Sequence, residues 1–252
     1  MTKTLRAGAL ALALITVAPL AALAQDLPAA QDIIDTYVEA IGGRDAALAN
    51  PSMRMTGTVS VPAMGMSGQL EAIRGEDDDM LQRATISGMG EMLSGYTDGV
   101  AWASDPVMGA RLLEGAEAAA MADQSDMLYM VRDASLFTSF QTVGEAEYGG
   151  EACWEIAFVF ASGRETSECF SKDSGLMIAS TMSQESPMGS MSVVTRYEDY
   201  EQYGDLTLPT TMRQSMMGQE QLMKIESIEF GGVDPSVFTP PAAVLTLMEN
   251  RR

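Results

Sequence analysis

Glu151-Ala152-Cys153-Trp154-Glu155-Ile156-Ala157-Phe158-Val159-Phe160, then Ala161-Ser162-Gly163, then Arg164-Glu165-Thr166-Ser167-Glu168-Cys169-Phe170-Ser171 is the stretch that decides the fold. Large apolar residues recur at every second position of its first half. In an extended chain successive side chains point to opposite faces, so Trp154, Ile156, Phe158 and Phe160 share one face and Cys153, Glu155, Ala157 and Val159 the other. Ser162-Gly163 reverses the chain, and Phe170 and Glu168 rejoin the aromatic face on the return strand. The same fold-back brings Cys153 and Cys169 nearly opposite each other. They are the only cysteines, and in an exported protein such a pair reads as a disulfide. A redox-active pair would be expected as C-x-x-C.

The pattern repeats outward from this hairpin. Strands are expected at 53–61, 66–74, 80–87, 91–97 and 100–104, with a short one at 111–113. Further strands are expected at 140–147, 175–184, 190–200, 206–216 and 220–229. Their connections are short turns such as Pro62-Ala63-Met64-Gly65, Asp98-Gly99, Gly149-Gly150 and Gly204-Asp205, so the pairing is antiparallel. Two segments switch to helical character. Ile33, Ile34, Tyr37, Val38 and Ile41 recur at helical spacing before the stop at Gly42-Gly43. Residues 114–132 are rich in Ala, Glu, Met and Leu, and residues 242–250 fit a short third helix. The fold class is mainly β with helices (α+β), an antiparallel sheet of about 11–12 strands. A twisted sheet of that size curls, and the inserted helix is the natural filling.

Residues 1–24 read as a signal peptide: basic Lys3 and Arg6, an apolar run from Ala7 to Leu20, and Ala22-Leu23-Ala24 before Gln25. This predicts a periplasmic protein, with residues 25–252 as a single domain. The chain carries 35 acidic against 15 basic residues, a net charge of −20. That balance excludes a nucleic-acid partner, which needs clustered Lys and Arg. There is no histidine, so Ser-His-Asp and Cys-His catalysis and His-containing zinc sites are excluded. Neither a G-x-S-x-G elbow nor a phosphate loop is present. Glu76-Asp77-Asp78-Asp79 lacks EF-hand spacing and reads as a solvated turn. No catalytic residue, metal or cofactor is assigned, and the chain is not read as an enzyme.

Methionine is abundant, at 21 residues, with close pairs at Met64/Met66, Met89/Met92, Met188/Met191 and Met216/Met217. Thioethers suit Cu(I), fill irregular cores, or line a deformable cavity. The aromatic face likewise reads as sheet core or as the floor of an apolar pocket. For the pocket, the lining is Met55, Val59, Met66, Leu70, Trp102, Trp154, Ile156, Phe158, Phe160, Phe170, Ile178 and Met182. The inserted helix is its lid, turning Met121, Leu128 and Val131 inward, with Met127 beside them.

A family resemblance rests on quoted segments. They are Tyr37-Val38-Glu39-Ala40-Ile41-Gly42-Gly43, Gly57 to Gly68, Gly95-Tyr96-Thr97-Asp98-Gly99-Val100-Ala101-Trp102, Arg111-Leu112-Leu113, Thr195 to Tyr200 and Leu208-Pro209. In these the chain resembles outer-membrane lipoprotein-sorting proteins of the LolA/LolB-like superfamily. The resemblance implies a curved antiparallel half-barrel, with helices plugging a hydrophobic cavity on its concave face. It also implies a cavity arginine, for which Arg54 and Arg74 are the candidates. The implied function is a periplasmic carrier that shelters lipid or lipoprotein acyl chains. The alternative is an envelope sensor or interaction module of the same fold without transfer activity. The implied partners are acyl chains and an envelope membrane protein, and the expected state is a monomer.

Overall fold

The computed structural model describes residues 27–125, 129–132, 136–186 and 189–251. The expected signal peptide and the lid residues Met127 and Leu128 lie outside them. Helix α1 (Ala30–Ala40) and α2 (Arg44–Leu48) lead into strands β1 (Met53–Val61), β2 (Met66–Arg74), β3 (Met80–Ile86), β4 (Gly90–Thr97), β5 (Val100–Asp105) and β6 (Gly109–Leu112). Then come α3 (Gly115–Ser125) and α4 (Tyr129–Arg132). Strands β7 (Phe137–Tyr148), β8 (Glu151–Phe160), β9 (Glu165–Ser171), β10 (Met177–Ser186), β11 (Gly189–Tyr203), β12 (Leu206–Met216) and β13 (Gln219–Phe230) follow. A 3-10 turn (Pro235–Phe238) and α5 (Ala242–Arg251) close the chain.

The strands form one antiparallel 13-stranded sheet in the order β6-β5-β4-β3-β2-β1-β13-β12-β11-β10-β9-β8-β7. The expected count of 11–12 is exceeded because the short sixth strand also pairs. β1 lies beside β13, so the two runs of hairpins meet in the middle and β6 and β7 become opposite edges. The α3–α4 insert therefore joins one edge to the other. In a flat sheet those edges would lie about 58 Å apart at roughly 4.8 Å per strand. α3, with 11 residues, spans only about 16 Å. The sheet is an open half-barrel curved around the insert. Its edges differ from the interior: β6 has four residues, and β7 carries register shifts between Phe137 and Ser139 and between Thr142 and Gly144.

Register fixes which side chains share a face. Ile156, Phe158 and Phe170 point inward, and so do Met53, Met55, Leu70, Tyr96 and Ala101. Two of the twelve expected lining residues depart from this inner face. Trp102 pairs with Gly95 and Leu112 on the outer face. There it is buried with Ile73, Leu81, Phe238 and Val244 under the C-terminal segment. Its indole donates to Thr97 Oγ1 at 3.4 Å, and Thr97 donates in turn to the Phe238 carbonyl at 3.0 Å. Ile178 falls in a register shift of β10 between Met177 and Ala179, and it packs with Cys153, Cys169 and Ala179 instead.

The cysteines are bonded, with Cα atoms 5.5 Å apart. The strand offset is larger than expected: Cys153 pairs with Ser171 and Cys169 with Glu155, so the bridge runs diagonally. The closed loop of about 15 residues corresponds to roughly 3 kcal/mol in the chain-entropy model. Cys153→Ser/Cys169→Ser is expected to lose about that much, read as a lower urea midpoint.

At the end of α1, Gly42 has φ 118°, and a Cβ there would lie 2.0 Å from the Asp205 carbonyl oxygen. Only glycine permits this approach. It brings the helix end onto the β11–β12 turn, where Thr207 N–H donates to the Ile41 carbonyl at 2.9 Å.

Candidate functional site: the inner face and its helix cover

Three apolar patches run across the inner face. At the β7–β12 end, Ile156, Phe158, Phe160, Phe170, Leu206 and Leu208 are buried against Ile33, Ile34, Val38 and Ile41 of α1 and its C-cap, with Ala47 of α2 and Val131 of α4. The Phe137 ring centre lies 4.9 Å from those of both Phe158 and Phe160, tilted against the first and edge-on to the second. Trp154 packs at the margin, with the Lys172 ammonium 3.7 Å above its ring. In the centre, Met53, Met55, Ala72 and Ile225 form a strip flanked by Leu70 and Met212. At the β5 end, Ala101, Ala103 and Leu113 pack against Ala118 and Met121 of α3.

The other expected lining residues fit this arrangement. Val59 and Met66 extend the central strip along β1 and β2, and Met182 continues the inner face opposite Thr166. The lid residues separate. Met121 covers β5 rather than the aromatic hairpin, and Val131 reaches the aromatic cluster from α4. α1, not the insert alone, covers Phe158 and Phe170. It precedes α2 and β1 in the chain and must pack its own apolar stripe.

The cover is held by polar contacts at one end of α3. Arg74, on the inner face of β2, donates from Nη1 to the carbonyls of Gln124 (2.5 Å) and Ser125 (2.7 Å). Arg54, the other candidate for a cavity arginine, points outward and pairs with Glu71 at 2.6 Å. One residue before those carbonyls, Asp123 accepts from Arg164 Nε at 2.9 Å and from Ser162 Oγ at 2.7 Å, both in the β8–β9 turn. Arg164 also lies 3.7 Å from the centre of the Phe160 ring. β2 and β9 are six positions apart in the sheet, about 29 Å if it were flat. Adjacent residues of α3 meet both, so α3 bridges the opening. Sequence reasoning missed Asp123 and Arg164, which lie 41 positions apart and are brought together only by the fold.

Three tyrosines make the aromatic half of the site sensitive to alkali. Burial and the nearby Glu168 raise the Tyr37 hydroxyl above its ordinary range, and its ring meets Phe170 edge-on at 5.4 Å. Burial pushes Tyr197 up to about 12, against the counteracting hydrogen bond with Ser180 at 3.1 Å. Burial also raises Tyr200, which donates to the Met177 carbonyl at 2.6 Å. A folded pKa above the unfolded value favours the neutral phenol in the folded state. Its stabilising contribution is therefore complete below pH 10.0 and falls as pH rises towards 12. Each such tyrosine contributes a slope of about 1.4 kcal/mol per pH unit there. Unfolding monitored by circular dichroism and phenolate absorbance should coincide in that window. All seven phenolates of the chain forming near pH 10 without unfolding would show these hydroxyls to be open to solvent.

No family model and no curated protein matches the chain. Solved structures do. A DUF1329 family protein from Desulfovibrio piger superposes with a TM-score of 0.57 at 12% identity, covering 83% of this chain and 96% of the other. A LolA superfamily protein from Nitrosomonas europaea gives 0.56 at 10%, covering 84% and 98%. A domain assigned to outer membrane lipoprotein sorting, from Vibrio parahaemolyticus, gives 0.53 at 12%, covering 82% and 95%. The chain has the LolA fold. At these identities the likeness establishes architecture, and within that LolA fold the helix-covered inner face is the candidate site. Among the described residues no group of three or more acidic or cysteine side chains is placed to hold a metal.

Proposed function

We propose that the protein is an exported, monomeric carrier that shelters a lipid or lipoprotein acyl chain between the inner face of the half-barrel and its helix cover. The observation that carries this reading is the contrast between the two sides of the cover. Its apolar contacts fall at the two ends of the inner face, around Phe160 and around Ala101, on either side of the Met55 strip, while Arg74 and the Asp123–Arg164 pair tie down one end of α3. Such a cover opens when a few polar contacts break, and it leaves a strip of Met, Leu and Ile side chains for an acyl chain. Each buried methylene contributes about 0.8 kcal/mol, so a long chain binds without a polar anchor. Methionine adapts to chains of different length and branching. The solved relatives named for the LolA superfamily and for lipoprotein sorting support the reading, and the disulfide accords with export. Nothing in this function requires a chemical step.

Two measurements test it. Native mass spectrometry of gently extracted protein should show bound lipid, and purified protein should take up a fluorescent fatty acid. Absence of both would sink the carrier reading.

A further inference from the structure

The two rims of the half-barrel are built from different residues. Strand direction places the β1–β2, β3–β4, β5–β6, β8–β9 and β12–β13 turns on one rim. The β2–β3, β4–β5, β7–β8, β9–β10 and β11–β12 turns lie on the other. Six of the ten large apolar side chains exposed among the described residues sit on the first rim: Met64, Met89, Val107, Met108, Met216 and Met217. Val107 is 79% exposed, Met108 68% and Met217 66%. They come from four hairpins, so no single loop accounts for them. The described tips of this rim, residues 62–65, 87–89, 106–108, 161–164 and 217–218, contain no carboxylate in a chain with 35 acidic residues. The opposite rim carries Glu76, Asp77, Asp78, Asp79, Asp98, Asp173 and Asp205 in its turns.

Backbone geometry sharpens the contrast. Asp98-Gly99 and Met217-Gly218 have nearly the same positive φ values, 52° and 76° against 51° and 76°. This hairpin geometry ordinarily takes Asn, Asp or Gly first, and the acidic rim follows that preference. At the other rim the position holds methionine, an unbranched apolar residue in a left-handed conformation that side-chain-bearing residues adopt only at a cost in strain. A side chain that is two-thirds exposed recovers little of that strain within the isolated molecule.

We infer that the methionine-bearing rim docks on a lipid bilayer, with the four hairpin tips seated in the interface of zwitterionic lipid. The occupant follows from the chemistry of the tips. They offer apolar side chains and no carboxylates, so they match an uncharged apolar–polar boundary, and the net charge of −20 disfavours an anionic surface. Separate flexible side chains on separate tips suit a fluid layer, since none requires a shaped pocket. The inference extends the carrier reading by naming the surface from which cargo is exchanged, and it rests on that reading only for its purpose.

Flotation with phosphatidylcholine vesicles tests it on the full exported chain. Wild type should float with the vesicles at both low and high salt, and less with vesicles enriched in phosphatidylglycerol. The triple variant Met64→Ser/Met108→Ser/Met217→Ser should keep its far-UV spectrum and lose vesicle affinity by about tenfold or more. Leu247→Ser on α5, also at an exposed apolar position, should float like wild type. Failure of wild type to float, equal flotation of the triple variant, equal loss in Leu247→Ser, or loss at high salt would each overturn the inference. So would a concentration-dependent dimer dispersed by the same triple substitution, which would assign the rim to a second copy. Fatty-acid uptake measured without vesicles reports the carrier reading separately: uptake without flotation overturns the rim alone, and flotation without uptake overturns the carrier alone.

Discussion

Trp102→Ala is expected to lower stability by about 3–5 kcal/mol and to leave fatty-acid uptake by the folded fraction unchanged. The indole is 1% exposed and sits in the outer cluster, where it joins β5 to the C-terminal segment. Gly95 on the neighbouring strand makes room for it: a Cβ there would lie 2.6 Å from the indole Cζ2. Truncating the ring opens a cavity under Phe238 and Val244 and removes the indole donor from the Thr97 hydroxyl, which keeps its bond to the Phe238 carbonyl. The surrounding sheet is paired on both sides and cannot collapse into the gap. Urea unfolding gives the stability change, and uptake at a denaturant-free temperature well below the midpoint gives the function. A specific loss of uptake at near-normal stability would restore Trp102 to the lining of the cavity and reverse the face assignment made from register.

Arg74→Leu is the second large effect, and it acts on the cover. The substitution removes the donor to the Gln124 and Ser125 carbonyls at the end of α3. Hydrogen bonds from a charged donor contribute about 1.5–3 kcal/mol each, and about 1.4 kcal/mol already changes an equilibrium tenfold. The open state of the cover should gain at least about tenfold in population. Uptake of a fluorescent fatty acid should speed up by a similar factor, and binding of a hydrophobic dye should rise with an unchanged far-UV spectrum. Asp123→Asn should act in the same direction but more weakly, because Ser162 and Arg164 still meet an amide oxygen. Uptake and dye binding equal to wild type in both variants would show that α3 is held by its apolar contacts alone.

The strands and their pairing were legible because each hairpin carries both signals at once, alternating side chains and a Gly-, Asp- or Pro-containing turn. The inward set around Phe158 followed from parity within one hairpin. Parity does not carry across a register shift, and Ile178 was misplaced for that reason. Trp102 was misplaced for a different one. Met80-Leu81 and Ala101-Trp102 put apolar residues on both faces of their strands, the mark of burial on both sides. Reading that mark required knowing that the C-terminal helix returns to the outer face. The polar ties of α3 were not legible, since Arg74, Asp123 and Arg164 lie far apart in sequence and are joined only by curvature. The exposed methionines were visible as close pairs, but their common rim appears only when strand direction is fixed.

The ends of the sheet have a consequence for how the molecule behaves in company. An open sheet offers unsatisfied backbone donors and acceptors at its first and last strands, a template for recruiting extended polypeptide. Here β6 offers only four residues, and β7 interrupts its ladder twice, between Phe137 and Ser139 and between Thr142 and Gly144, and carries Glu145 and Glu147 beyond the second interruption. Neither border presents the long, flat, uncharged ladder that strand addition requires. A sheet with such borders can stay open along its whole length without recruiting the extended chains of its neighbours.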